Sequence, residues 1–282
     1  MARGGLQKLI HPGMSGQIFE RGYEQVGGYV INVTSANELP TPAALLAAHG
    51  IGGDWGTFVD VVRFHVPTCA TLANPDPAAE RPWPTYRNGF LTPVDDSIVP
   101  VWMLSTTRYP PGAEMWRIHD DGRQEMVLWY AGAARGWVGA RGWRPTSRYF
   151  GTRATWQAAE YAADVIYAAD GAPVDVELTA FAEPAGDGWG QRRAQTWSRT
   201  VPIAECEVFE IFFTATIDGV AVRVLALGGP TVHVQLVGDD PEAAERIGAS
   251  MIDPGVFENP HVPGEKLQQT QFVANQLVPA AD

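Results

Sequence analysis

Apolar and polar positions divide this chain into short alternating or β-branched runs, separated by turns rich in Gly, Pro and Asp. Residues 27–34 (GGYVINVT) and 57–66 (TFVDVVRFHV) predict strands, as do 100–105, 174–182 and 231–237. Two Asp-Gly pairs, Asp121-Gly122 and Asp218-Gly219, predict hairpins over 113–132 and 206–229, because such a pair takes the positive φ angles of a tight primed turn. Thr41-Pro42 followed by AALLAA and Gly50 carries the start and stop marks of a short helix, and Asp240-Pro241 starts another. Two longer segments read as helices from their spacing. In RATWQAAEYAADVIYAADG, the side chains of Trp156, Ala159, Ala163, Ile166 and Tyr167 share one helical face, and Gly171 closes it. The other is EKLQQTQFVANQLV at 265–278.

The rest is punctuation. Residues 1–26 are Gly-rich and unpatterned, which predicts an irregular segment. Residues 67–98 predict a long loop of the kind that often carries function. Residues 131–145 and 186–202 read as Gly/Trp/Arg loops. The expected fold is α+β, with antiparallel β-meanders packed by a few helices. It divides into the irregular segment 1–26, a first α+β domain at 27–145 and a second at 146–282. Each half runs through a helix, a strand, an arginine-bearing loop and an Asp-Gly hairpin, so the halves read as two related subdomains.

Composition narrows the classes. Hydrophobic residues make up 45% and charged residues 18%, which places the chain among globular proteins and not disordered ones. Lysine is confined to Lys8 and Lys266 while arginine and alanine abound, a bias of GC-rich bacterial coding. The net charge of -12 argues against general nucleic-acid binding, which needs a phosphate-neutralising surface. No run of about 18 apolar residues predicts a membrane span, and the start of the chain lacks a signal-peptide core. The expected compartment is the cytoplasm, with secretion by a signal-independent route left open. Cys69 and Cys206 are too few for a disulfide framework or a thiolate zinc site, so both are expected as inert thiols.

The charge is unevenly placed. Residues 126–159 hold no Asp or Glu, but carry Arg135, Arg141, Arg144, Arg148 and Arg153 among Trp137, Trp143, Tyr149, Phe150 and Trp156. A second cluster sets Arg192, Arg193 and Arg199 beside Trp189 and Trp197. Guanidinium groups pair with carboxylates or phosphates and stack on aromatic faces, and Trp and Arg dominate interface hot spots. The candidate surface is therefore Arg135, Arg141, Arg144, Arg148, Arg192 and Arg193 as charged forks, with Trp137 and Trp143 as platforms. Its expected occupant is an acidic partner protein or a small anionic ligand. The competing reading is that these arginines pair with the protein's own carboxylates and cover its indoles. The function expected is non-catalytic binding, as in a bacterial adaptor, immunity-like or secretion-associated protein.

Catalytic motifs are sparse. No HExxH or HxH occurs, and His65, His119 and His233 fall in predicted strands, where hydrogen-bonded structural roles prevail. No phosphate loop or dinucleotide fingerprint is present, so no cofactor is expected. Gly13-Met14-Ser15-Gly16 falls one residue short of a nucleophile elbow. Asp120-Asp121 and Asp239-Asp240 fit a turn and a helix cap, and Asp95-Asp96 is a weak cation candidate. Arg63, Ser105-Thr106-Thr107 and Glu205-Cys206-Glu207, in that order, resemble the Arg, Ser-Thr-Ser and Glu-x-Glu elements of arginine-specific ADP-ribosyltransferases. The likeness departs at Thr107. It implies an alternative in which Arg63 and Ser105 hold NAD, and Glu207 stabilises an oxocarbenium-like transition state.

Overall fold

The structure is a computed structural model that describes residues 5–52, 55–67, 70–73 and 99–278. Within them nineteen strands stand against four short α-helices, and the strand pairings are antiparallel. The fold is thus predominantly antiparallel β with a few helices, which corrects the expected α+β balance.

The first sheet holds β1 (Gly5–Ile10), β2 (Gln25–Asn32), β3 (Phe58–His65), β4 (Leu72–Ala73), β5 (Val101–Arg108), β6 (Glu114–His119), β7 (Gln124–Tyr130) and β8 (Trp137–Val138). Their spatial order is β4-β5-β2-β1-β3-β6-β7-β8. Alternation along the central strands sends Leu6, Val30 and Val62 to one face and Leu9, Ile31 and Val61 to the other. Both faces are covered. Helix α1 (Pro12–Arg21) lays Ile18 on the first, α2 (Val33–Ala36) follows β2, and α3 (Pro42–Ala48) lays Leu45 on the second. The Thr41 hydroxyl accepts the Ala44 N–H at 3.2 Å, as its sequence position predicts. The expectation of an irregular 1–26 is overturned by β1, α1 and the start of β2. Gly13 and Gly16 masked a helix that Pro12 starts and Gly22, at φ +67°, ends.

The second sheet holds β9 (Phe150–Trp156), β10 (Ala159–Tyr167), β11 (Pro173–Ala180), β12 (Gly190–Arg193), β13 (Thr196–Pro202), β14 (Glu207–Ile217), β15 (Val220–Gly228), β16 (Thr231–Leu236), β17 (Ser250–Asp253), β18 (Val256–Pro263) and β19 (Gln268–Val278). Their order is β12-β13-β11-β10-β9-β14-β15-β16-β18-β17, with β19 on β14. Strand β14 is the joint: Glu207–Phe212 pair with β9 and Phe213–Ile217 with β15. Helix α4 (Pro241–Arg246) caps the β15–β18 end, with Asp240 accepting the Glu242 N–H at 3.0 Å.

Three expectations fail here for a common reason. The segment read as the 153–171 helix is the β9–β10 hairpin. Tyr161, Ala163, Val165 and Tyr167 face one core while Ile166 is 38% exposed, a period of two. Its alanines carry high helix propensity, and tertiary pairing overrides that. Likewise 265–278 forms β19, and the loop at 186–202 contains the β12–β13 hairpin. Of the two Asp-Gly turns, Asp218 and Gly219 both have positive φ, as a primed turn requires. At Asp121-Gly122 only Gly122 does, and the His119 N–H bonds to Arg123 O around a three-residue loop. The β9–β10 turn puts Gln157 and Ala158 at φ +49° and +63°, where L side chains are strained. Gln157→Asn/Ala158→Gly is expected to raise stability by about 1–2 kcal/mol in urea unfolding. A lower midpoint would contradict the turn assignment.

The seam between the two sheets is polar. Lys8 meets Asp253 at 2.9 Å, Arg108 meets Asp164 at 2.8 Å and Thr107 meets Glu210 at 2.5 Å, all buried. Thr106 bonds Gln235, and Tyr29 bonds Asp239. Gly28, at a bulge with φ +78°, lets the Pro254 carbonyl approach to where a Cβ would lie 2.4 Å away. No described helix is long and apolar enough to cross a membrane.

Candidate functional site

The arginine island runs through β8 and then over α1, and the structure treats its members differently. Trp137 is a core residue, 2% exposed, with its indole N–H donated to Tyr23 O at 2.8 Å. That burial removes it from the expected surface. Arg135 forks onto Glu177 at 2.8 and 2.6 Å, and Arg141 pairs with Glu20 at 2.8 Å. Both therefore follow the competing reading, structural pairing. Arg153 is buried on Ser147 O. Burial, and then the Arg108 charge nearby, pull its guanidinium down to about 10.

Arg144, Arg148, Arg192 and Arg193 are exposed, and none forms an ion pair among the described residues. One of them, Arg193, crosses from the second cluster to the first. The Arg193 guanidinium lies 5.6 Å from the Trp143 ring centroid and donates to Arg135 O at 2.8 Å. Trp143 is half-buried between Gly136 and Phe181. Arg192 anchors its Nε to the Ser198 hydroxyl at 2.7 Å, and that hydroxyl donates to Glu177 at 2.8 Å. The hairpin β12–β13, missed as a loop, is what carries Arg192 and Arg193 to the first cluster. Arg148 has no contact that ties it to this group.

Arg144 turns the other way. Its guanidinium lies 5.3 Å from the Tyr23 ring centroid and lines a seam cleft of about 620 Å³. Arg21, at the end of α1, lines the same cleft, as do His233 on β16 and Glu258 on β18. Tyr23 donates to Gln25 Oε1 at 2.8 Å, and Gln25 Nε2 donates to Glu258 Oε1 at 2.7 Å. The His233 Nε2 lies 2.7 Å from Glu258 Oε2. The amide orientation follows from the tyrosine, so Glu258 accepts on both oxygens and His233 Nε2 is the protonated nitrogen. Sequence reading passed over Arg21 and Glu258, and gave His233 a structural role in its strand. Each residue is ordinary in its own strand or helix, and only the β16–β18 pairing joins the last two.

Neither the protein-family models, nor the curated proteins, nor the solved structures compared contain a match to this chain. The site is therefore argued from its own geometry.

The ADP-ribosyltransferase constellation does not assemble. Arg63 on β3 and Ser105 on β5 are separated by β1 and β2, roughly 14 Å at the usual strand spacing, and Glu207 lies in the other sheet. Arg63 is engaged by Gln7 and Gln124 at 2.9 and 2.8 Å. Burial, and then Glu205, push the Cys206 thiol up to about 11, which keeps it protonated and inert. Cys69 and Asp95-Asp96 lie outside the described residues, as does most of the 67–98 loop. Among the described residues no three His, Cys, Asp or Glu side chains group as metal ligands.

Proposed function

We propose that this is a non-catalytic binding protein that docks an acidic partner protein on the surface of Trp143, Arg192 and Arg193. One observation carries the reading: Arg193 stacks over Trp143 from 50 residues away in the chain and has no carboxylate partner among the described residues. The chain has 32 acids for 20 bases, so pairing partners are plentiful. An arginine without a carboxylate partner among the described residues, set beside an indole in so acidic a molecule, favours recognition over structural cover. The platform is rigid, since Arg193 is fixed to Arg135 O and Arg135 is forked onto Glu177. An acidic partner would exchange weakly solvated guanidinium groups for charge-assisted hydrogen bonds.

Immobilised poly-L-glutamate is the test ligand. Binding to the wild-type protein is expected to weaken as salt rises, and Arg192→Ala/Arg193→Ala is expected to reduce it on the order of tenfold. Equal binding by the double variant, with folding intact by circular dichroism, would remove the proposal.

A further inference from the structure

The seam cleft carries a second site, independent of the Trp143 surface. Its volume, about 620 Å³, matches that of sites that enclose small molecules. Two arginines line it, and neither Arg21 nor Arg144 has a carboxylate partner among the described residues. Glu258, the one acid in the lining, already accepts from Gln25 and His233 on its two oxygens. The cleft therefore has an excess of positive charge inside a protein of net charge -12. The same lining includes the apolar side chains of Met14, Phe150, Leu225 and Met251.

The histidine narrows the ligand further. With Nε2 held by Glu258, His233 keeps Nδ1 as its one ring nitrogen without a protein partner among the described residues. Nδ1 accepts a proton donor when the ring is neutral and donates when the ring is charged. A phosphate monoester suits both states, because its monoanion can donate a proton and its dianion can accept one. A single proton can then be shared between Nδ1 and a phosphate oxygen, while the other oxygens take the planar forks of Arg144 and Arg21. A carboxylate would satisfy the arginines and a charged ring, but it offers no proton to Nδ1 of the neutral ring.

We infer that the seam cleft binds a small phosphomonoester with an apolar body, its phosphate held by Arg144, Arg21 and His233 and its body against Phe150 and the methionines. The methionines supply the readout. In protein labelled with ¹³C-methyl methionine, phenyl phosphate is expected to shift the Met14 and Met251 signals saturably and to leave Met126 unmoved. Arg144→Gln and His233→Gln are each expected to weaken this binding at least tenfold. Arg192→Ala/Arg193→Ala is expected to leave it unchanged, so the cleft and the outer surface can fail separately. Benzyl alcohol and inorganic phosphate are expected to bind far more weakly, since each lacks one half of the ligand. The inference is overturned if phenyl phosphate gives no saturable shift at Met14 and Met251. It is overturned equally if benzyl alcohol or inorganic phosphate matches phenyl phosphate, or if the Arg144→Gln variant, folded by its methyl spectrum, binds as well as wild type.

Discussion

Asp164→Ala is expected to cost about 3–5 kcal/mol of stability, far more than the loss of a surface ion pair. Arg108 on β5 and Asp164 on β10 meet across the seam at 2.8 Å and are 5% and 3% exposed. Burial works against the charge on Arg108, but Asp164 first, then Tyr130, Glu24 and Glu210, outweigh it and raise the guanidinium. Arg108 thus stays charged, and removing Asp164 leaves it buried without its ion-pair partner. Asp164 also accepts the Ala133 N–H at 2.7 Å, a bond that ties the turn after β7 to the second sheet. The double variant Arg108→Met/Asp164→Leu removes both charges; the Ala133 N–H then loses its acceptor and the Ala163 carbonyl its Arg108 donor, each at about 1–3 kcal/mol. It is therefore expected to be more stable than Asp164→Ala alone. Urea unfolding of Arg108→Met, Asp164→Leu and the double variant measures the coupling, and simple additivity of the two single losses would show that the pair does not act as a unit.

A polar seam has a consequence for the site. Apolar surfaces slide past one another at little cost, whereas paired buried charges accept one register. Lys8–Asp253, Arg108–Asp164 and Thr107–Glu210 hold the sheets so that Tyr23 and Gln25 of the first meet Glu258 and His233 of the second. The cleft lies between elements locked in this way and not on a free loop. Its Gln25–Glu258–His233 chain is therefore preorganised before any ligand arrives.

How much of this was legible in the chain depended on the range of the interaction. Caps and turns are local, and Thr41-Pro42, Asp240-Pro241 and Asp218-Gly219 mark their elements correctly. The strands β3, β5 and β16 were equally plain, because β-branched runs have few alternatives. Where helix propensity and sheet pairing compete, as in the alanines of β10, the local signal pointed the wrong way. The candidate site divides along the same line. The sequence shows that Arg144, Arg192 and Arg193 stand in basic, aromatic company. It does not show that Arg193 crosses to Trp143, that Trp137 turns inward, or that Glu258 orients His233. Those facts are set by register, and register is a property of strand pairs.

His49 is expected to make the protein acid-sensitive in a defined window. It follows α3, is 2% exposed, and its Nδ1 lies 2.8 Å from Leu45 O, so that nitrogen carries the proton of the neutral ring. Burial, aided by the Lys8 charge and opposed by the Leu45 hydrogen bond, lowers the imidazole to about 4. An unfolded histidine titrates near 6.5, so between about 6.5 and 4 the unfolded chain binds the extra proton and the folded one does not. The contribution of a neutral His49 is thus complete above about pH 6.5 and disappears as pH falls through the folded value. The difference of about 2.5 units amounts to about 3 kcal/mol lost by pH 4. The buried carboxyls Glu24, Glu210 and Asp253 act in the opposite sense, since burial raises them and the folded state binds their protons more readily. They are common to wild type and variant, so comparison isolates the histidine. His49→Gln keeps a donor for Leu45 O but does not titrate. Whatever it costs in packing at pH 7, it is expected to lose about 3 kcal/mol less than wild type on going to pH 4, measured by urea unfolding at both values. Parallel losses in the two proteins would mean that His49 takes its proton without leaving the core.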